Sequence, residues 1–352
     1  MKLFEPYSLG NLRLQNRFVM APMTRSRAIG NIPNDLMAQY YGQRSSAGLI
    51  ITEGVAPSPN GLGYARIPGA FSAAQTEGWR KITAAAHQGG AKIFMQLMHT
   101  GRVTHALNLP QGAEVIGASA VAAASQMWTD QSGMQPLPTP RMLETREIAG
   151  VIDEYVQSSR NAIAAGFDGI ELHGANGYLI EQFLNPGTNK RTDGYGGSIA
   201  KRNRVVVETA AAVARAIGPE KTGIRLSPFN NFNDMAEFEE TPQQYEALAK
   251  ELGALKLAYI HIVAYAKVGE PLIRAMRKAF GGAVIINGGL DKAKAEAAFA
   301  SGLADLAAFG TSFLANPDLP SRLKKGLPLN ALRPDTFYTG DPLGYTDYPA
   351  AG

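Results

Sequence analysis

Two side chains that could grip a single oxygen atom stand three residues apart in this sequence: His173 and Asn176, just behind the apolar run Gly169–Leu172. Both offer N–H donors. In a turn that closes a strand, both can aim at one oxygen and stabilise negative charge that develops on it. A lone histidine is more often a satisfied structural residue, and His87, His99, His105 and His261 take that reading. His173 differs through its partner.

Other polar or glycine residues end nearly every apolar run in the same way. They are Pro22-Met23-Thr24, Glu53-Gly54, Gln96, Arg225, Asn287-Gly288-Gly289 and Gly310-Thr311. In a parallel barrel such ends converge on one face, where catalytic groups collect. Gly288, Gly289 and Gly310 could simply turn tight loops. Their place after the seventh and eighth runs favours a phosphate cradle of backbone N–H groups. No G-x-G-x-x-G follows a strand, because Arg66 stands where Gly61-Leu-Gly63 would need its third glycine, and no P-loop signature occurs. A nicotinamide nucleotide, if used, therefore has no Rossmann module here and must visit the site that the substrate uses.

The elements that position these residues alternate. Strands are predicted at Arg17–Ala21, Leu49–Thr52, Lys92–Leu97, Gly169–His173, Gly223–Ser227, Ala258–Val263, Ala283–Asn287 and Asp305–Phe309. Their near-continuous apolarity suits strands covered on both faces. Helical periodicity follows each one, over Pro33–Ser46, Gln75–Gln88, Glu147–Ala165, Lys201–Ile217, Thr241–Leu252, Glu270–Phe280, Asp291–Ala300 and Pro317–Lys325. Thr241-Pro242 with Gln244 reads as a capping box, and Asn316-Pro317-Asp318 as a similar helix start. Eight such units predict an α/β fold, a (β/α)8 TIM barrel forming one domain over residues 1–352. The third βα connection, about 98–146, is too long for a plain link and reads as an active-site cap. The aromatic tail 333–352 is expected to fold back near the site.

Composition narrows the chemistry. Of the 352 residues 45% are hydrophobic and 18% charged, enough for a large core. The net charge of +4 is scattered, with only the short cluster Arg322, Lys324 and Lys325, so no nucleic-acid or membrane surface is indicated. The absence of cysteine removes disulfides, thiolate zinc sites, iron–sulfur clusters and cysteine nucleophiles. No two histidines have metal-type spacing, so no metal is expected. Met1–Asn16 is not built like a signal peptide, and no run is long enough to span a membrane; a cytoplasmic location follows as the default expectation.

The run His173-Gly-Ala-Asn176-Gly-Tyr178 resembles the substrate-binding segment of the old yellow enzymes. The likeness extends through Ala21-Pro-Met-Thr24-Arg25, Thr52-Glu-Gly54, Gln96-Leu-Met98-His, Arg191-Thr-Asp-Gly-Tyr-Gly-Gly-Ser198, Arg225-Leu-Ser-Pro228, Phe309-Gly-Thr311 and Gly344-Tyr345-Thr-Asp-Tyr348-Pro. It implies an FMN-dependent ene-reductase that takes hydride from NADPH or NADH. It would reduce the C=C bond of α,β-unsaturated carbonyls, maleimides or nitroalkenes in a ping-pong cycle through flavin N5. The same likeness implies that Pro22, Met23 and Thr24 lie along the flavin ring, that Gln96 meets its pyrimidine edge and that Arg225 faces the N1–C2 region. Gly54 joins the flavin contacts, and Gly288, Gly289, Gly310 and Thr311 take the phosphate. His173 and Asn176 would anchor the substrate oxygen, Tyr178 would protonate the α-carbon, and Met98, Phe232 and Tyr345 would line the pocket. Electron-poor alkenes and a nicotinamide nucleotide are the expected partners, and the chain a monomer or homodimer.

Three departures stand out. Met98 replaces the family's usual tryptophan and should soften the pocket. Thr311 replaces an arginine in the phosphate loop. Ala200-Lys201-Arg202 stands where the family has Glu-Asn-Arg. Thr24 also sets the chain apart from the cysteine-bearing branch. Dienoyl-CoA reductases and amine dehydrogenases share the barrel but add a cysteine-ligated cluster and further domains, and a flavin carrier without turnover would not need the His173/Asn176/Tyr178 set.

Overall fold

A computed structural model describes residues 1–264 and 267–351. The eight expected strands are present: β1 (Phe18–Met20), β2 (Leu49–Val55), β3 (Lys92–Leu97), β4 (Gly169–Gly174), β5 (Thr222–Leu226), β6 (Tyr259–Val263), β7 (Ala283–Asn287) and β8 (Leu306–Phe309). They pair in parallel and in chain order, and β8 meets β1 to close the barrel. Helices α1 (Asp35–Gln43), α2 (Ala73–Gln88), α3 (Ile148–Ala164), α4 (Ile199–Ile217), α5 (Thr241–Ala254), α6 (Glu270–Phe280), α7 (Lys292–Ala300) and α8 (Leu319–Lys325) follow them. Two short helices were not foreseen, Leu179–Leu184 after β4 and Thr311–Ala315 after β8.

Side-chain alternation along each strand sorts the core into two shells. Outward residues such as Ile170, Leu172, Ile260 and Val284 pack with Trp79, Ile82, Val206, Leu248 and Ile273 of the helices. Inward residues Val19, Leu49, Ile51, Phe94, Tyr259, Ile285 and Leu306 fill the barrel. Its bottom is closed by Leu9 and Leu14 of the hairpin Tyr7–Leu9/Leu12–Leu14. Gly223 is required here, because a Cβ would lie 2.3 Å from the Tyr259 ring that leans across β5. In β2 the register against β3 shifts between Ile51 and Gly54, a bulge that sets Gly54 opposite Gln96.

The helix starts differ from expectation at two places. Thr241 lies inside α5 and its hydroxyl donates to the Phe238 carbonyl at 2.6 Å, while Gln244 turns away to Arg202 and Asn203. Asn316 ends the short helix Thr311–Ala315 and donates to the Ser312 carbonyl; α8 begins after Asp318. Capping boxes do form elsewhere, between Ser72 and Gln75 at α2 and between Glu144 and Glu147 ahead of α3.

The segment between β3 and α3 carries the exposed hairpin Gln126–Thr129/Gly133–Pro136 and a short parallel pairing of Ile116–Gly117 with Arg141–Met142. Arg191 holds its base, donating to the carbonyls of Ala118 (3.1 Å) and Leu143 (2.6 Å) and pairing with Asp193. The C-terminal tail is pinned by two buried guanidiniums: Arg25 donates to Gly344 (2.7 Å), and Arg27 to Thr336 (2.8 Å) and Leu343 (2.9 Å).

Candidate active site

Above the apolar filling the barrel interior turns polar. Gln96, Glu171, His173, Arg225, His261 and Asn287 come from β3 to β7 and face the top of the barrel. The Gln96 Nε2 donates to Glu171 Oε1 at 2.8 Å, and His261 Nδ1 meets Glu171 Oε2 at 2.9 Å. Arg225 donates to Asn287 Oδ1 at 3.1 Å, and Asn287 donates on to the Ala308 carbonyl. These bonds tie the layer together, while His261 Nε2 is buried without a hydrogen-bond partner among the described residues.

This layer opens into a cavity of about 750 Å³. Pro22, Thr24, Gly54, Gln96, Met98, His173, Asn176, Tyr178 and Phe232 line it, so residues from four expected strand ends, those of β1 to β4, do meet. Tyr64, Arg66, the hairpin residues Trp128 and Met134, and Tyr338 of the tail complete its wall and rim. Gly54 admits Met98, since a Cβ there would lie 2.5 Å from the Met98 sulfur. Met23 turns instead toward Leu314, Ala315 and Tyr348. Arg225, Gly288, Gly289, Gly310 and Thr311 do not line this cavity and lie at the ends of β5, β7 and β8.

Tyr345 is corrected. It is fully buried away from the cavity, stacked on Tyr40 at 4.0 Å with the Arg25 and Arg27 guanidiniums over its ring at 5.1 and 4.8 Å. Two neighbouring cations and a stacked phenol draw it into the tail's anchor. Phe232 does line the cavity, yet 56% of it is exposed, so it is a rim residue and not core packing.

His173 Nδ1 accepts from the Ala175 N–H at 3.3 Å, which leaves the ring proton on Nε2 as a donor. Burial, then Arg225 and His261, push its pKa well below the usual value, so the ring is neutral near pH 7. The Thr24 hydroxyl and the Asn176 carboxamide make no hydrogen bond among the described residues. Tyr178 is buried, packs edge-on to His173 with centroids 4.8 Å apart, and bonds to the Tyr64 hydroxyl at 3.0 Å. Burial and then Tyr64 hold its phenol protonated, well above 10.

Sequence reasoning missed Tyr64, which arrives from the β2–α2 loop, and the hairpin residues; no local signal marks them. Glu171 and Glu181 could have been noticed as carboxylates inside otherwise apolar runs.

The family model described as NADH:flavin oxidoreductase / NADH oxidase matches residues 2–330. The chain belongs to this family, that of the old yellow enzymes. It is 42% identical to 12-oxophytodienoate reductase 1 of Oryza sativa subsp. japonica over 99% of this chain and 92% of that one. A probable flavin mononucleotide-dependent alkene reductase of Leishmania infantum is 39% identical, covering 99% and 97%. Among solved structures, morphinone reductase in complex with tetrahydroNAD superposes with a TM-score of 0.96 at 43% identity, covering 100% of this chain and 98% of that one. The chain is thus an oxidoreductase working with FMN and a nicotinamide nucleotide.

The residues present fit a flavin. One cavity joins an unengaged hydroxyl, a carboxamide anchored at one end only and an apolar wall of Pro22, Gly54 and Met98, as an aromatic ring with a polar edge needs. Among the described residues no helix is long and apolar enough to cross a membrane, and no group of three or more His, Asp or Glu could hold a metal.

Proposed function

We propose that this family member reduces carbon–carbon double bonds conjugated to a carbonyl or nitro group, with His173 and Asn176 gripping the substrate oxygen. The observation that carries the reading is that the neutral His173, with its Nε2 proton free, and the unbonded Asn176 carboxamide line one cavity with Tyr178. Bound FMN would supply the hydride chemistry, relaying reducing equivalents between the nicotinamide nucleotide and the substrate carbon β to the activating group.

The chain's own residues do the rest. Donors from His173 and Asn176 stabilise the charge that develops on the oxygen. The Tyr178 hydroxyl, kept protonated by its surroundings, gives its proton to the α-carbon, and Tyr64 steadies it. Thr24, Gln96, Gly54, Pro22 and the backbone of Met23 are assigned to the flavin ring, Arg225 to its N1–C2 region and Gly288, Gly289, Gly310 and Thr311 to the phosphate. Gly288 at φ 144°, where L-residues are rarely found and a Cβ would lie 2.3 Å from the Ala264 carbonyl oxygen, lets that loop turn its backbone N–H groups. Lys294, which donates to the Gly289 carbonyl at 3.2 Å, puts a cation at the loop where Thr311 supplies none. Met98, Phe232 and the hairpin shape the pocket, so segment 98–146 serves as its cap and the tail as its edge. We read the chain as one cytoplasmic domain.

Anaerobic titration tests this. NADH or NADPH should bleach the yellow protein, and cyclohexenone or a nitroalkene should restore the colour with loss of its double bond. Reoxidation by oxygen alone, with every alkene inert, overturns the reading.

A further inference from the structure

We propose that Glu181 is a positioning residue for substrate binding: through Ser227 it braces the backbone of Asn176 and so fixes the second donor of the oxygen grip. The inference rests on the reading of Asn176 as an anchor and adds a residue that neither touches substrate nor lines the cavity.

Asn176 sits in the left-handed region at φ 59°, followed by Gly177 at φ 79°. Two successive left-handed residues need support from outside the turn, since the first carries a Cβ. The support is specific. The Asn176 N–H donates to Ser227 Oγ at 2.8 Å, and the Ser227 hydroxyl donates to Glu181 Oε1 at 2.7 Å. The Gly177 N–H donates to Glu181 Oε2 at 2.6 Å. On its other side the Asn176 carbonyl accepts from Asn233 at 2.7 Å. The turn is held from both faces while its carboxamide stays unengaged.

Glu181 lies in the short apolar helix Leu179–Leu184 and is 3% exposed, among the most secluded carboxyls in the chain. Everything facing it is a donor: the Gly177 N–H, the Ser227 and Tyr245 hydroxyls (2.7 and 2.8 Å) and the Asn230 carboxamide at 3.2 Å. Tyr245, from α5, is the titratable group among them, and its phenol is raised well above 10, so it remains a donor at neutral pH. Four donors converging on two oxygens suit a carboxylate and leave no acceptor for a fifth hydrogen. Burial nevertheless lifts this carboxyl to about 7. Above that pH the brace is complete. As pH falls through about 7 a proton enters, one of the four donors must let go, and the Asn176 turn loosens.

The test uses the full-length FMN-loaded chain with cyclohexenone as probe. In E181Q the amide presents two hydrogens to these donors, and KM for cyclohexenone should rise about tenfold with FMN affinity unchanged within about twofold. The wild-type KM should rise as pH drops below about 7, and E181Q should lose that inflection. S227A, which leaves the carboxylate three donors, should raise KM in the same direction and carries the test if E181Q fails to fold. Added to N176A, neither change should raise KM further, because both act through Asn176. If E181Q or S227A adds its full effect to N176A, or if both leave KM unmoved while N176A raises it, the brace is wrong and the anchor stands. If N176A itself leaves KM unmoved, the anchor reading falls and takes the brace with it.

Discussion

The two ends of the barrel interior follow different rules. At the bottom, Val19, Leu49, Ile51, Phe94, Ile285 and Leu306 fill the space with apolar contact. At the top, buried Gln96, Glu171, Arg225 and His261 and half-buried Asn287 form a layer of polar groups linked by hydrogen bonds. The same alternation of inward side chains builds both, so the difference lies in residue type alone. Apolar packing stabilises the closed barrel, whereas the polar layer is kept where strand ends can present donors to a ligand.

Variants at the two ends should therefore fail differently. The largest effect on chemistry is expected from H173A/N176A, which removes both oxygen donors: kcat/KM for cyclohexenone should fall at least about 10³-fold with FMN still bound. A smaller fall would mean that the oxygen is held elsewhere. At the bottom, F94A should lower stability by about 3–5 kcal/mol in denaturant unfolding, since it empties a fully buried ring. The alkene KM of the folded protein should not move; a shifted KM would show that the two ends are coupled. Y178F comes next, slowing flavin reoxidation by alkene about 10²-fold while reduction by the nicotinamide nucleotide keeps its rate. Y64F should follow it at a few-fold, because it removes one hydrogen bond from the Tyr178 hydroxyl and leaves the proton in place. Equal effects of Y64F and Y178F would move the proton-donor role to the pair.

Much of this was legible beforehand. All eight strands were located, and their ends carried the residues that meet in the cavity: Thr24, Gly54, Gln96, His173 and Asn176. Strand ends are easy to read because parallel pairing in chain order forces them to one face. Loop partners are not: Tyr64 meets Tyr178 across 114 residues, a meeting that only the path of the β2–α2 loop decides. Tyr345 shows the opposite failure, an aromatic residue in a suggestive phrase that Arg25, Arg27 and Tyr40 hold in the tail's anchor. Thr241 and Gln244 had the letters of a capping box, yet a nearby carbonyl and the Arg202 guanidinium competed for them.

The sequence by itself determined the alternation of strand and helix, the closed parallel barrel and the side of it on which chemistry would gather, because burial periodicity is local and needs no partner to be seen. Only the tertiary structure decided which polar side chains are tied to one another and which are left free to meet a ligand. Glu181 looks like an interruption in an apolar helix until folding brings Ser227, Tyr245 and Asn230 around it. A hydrogen bond depends on distance and direction between residues far apart in the chain, and those are fixed when the loops close over the barrel.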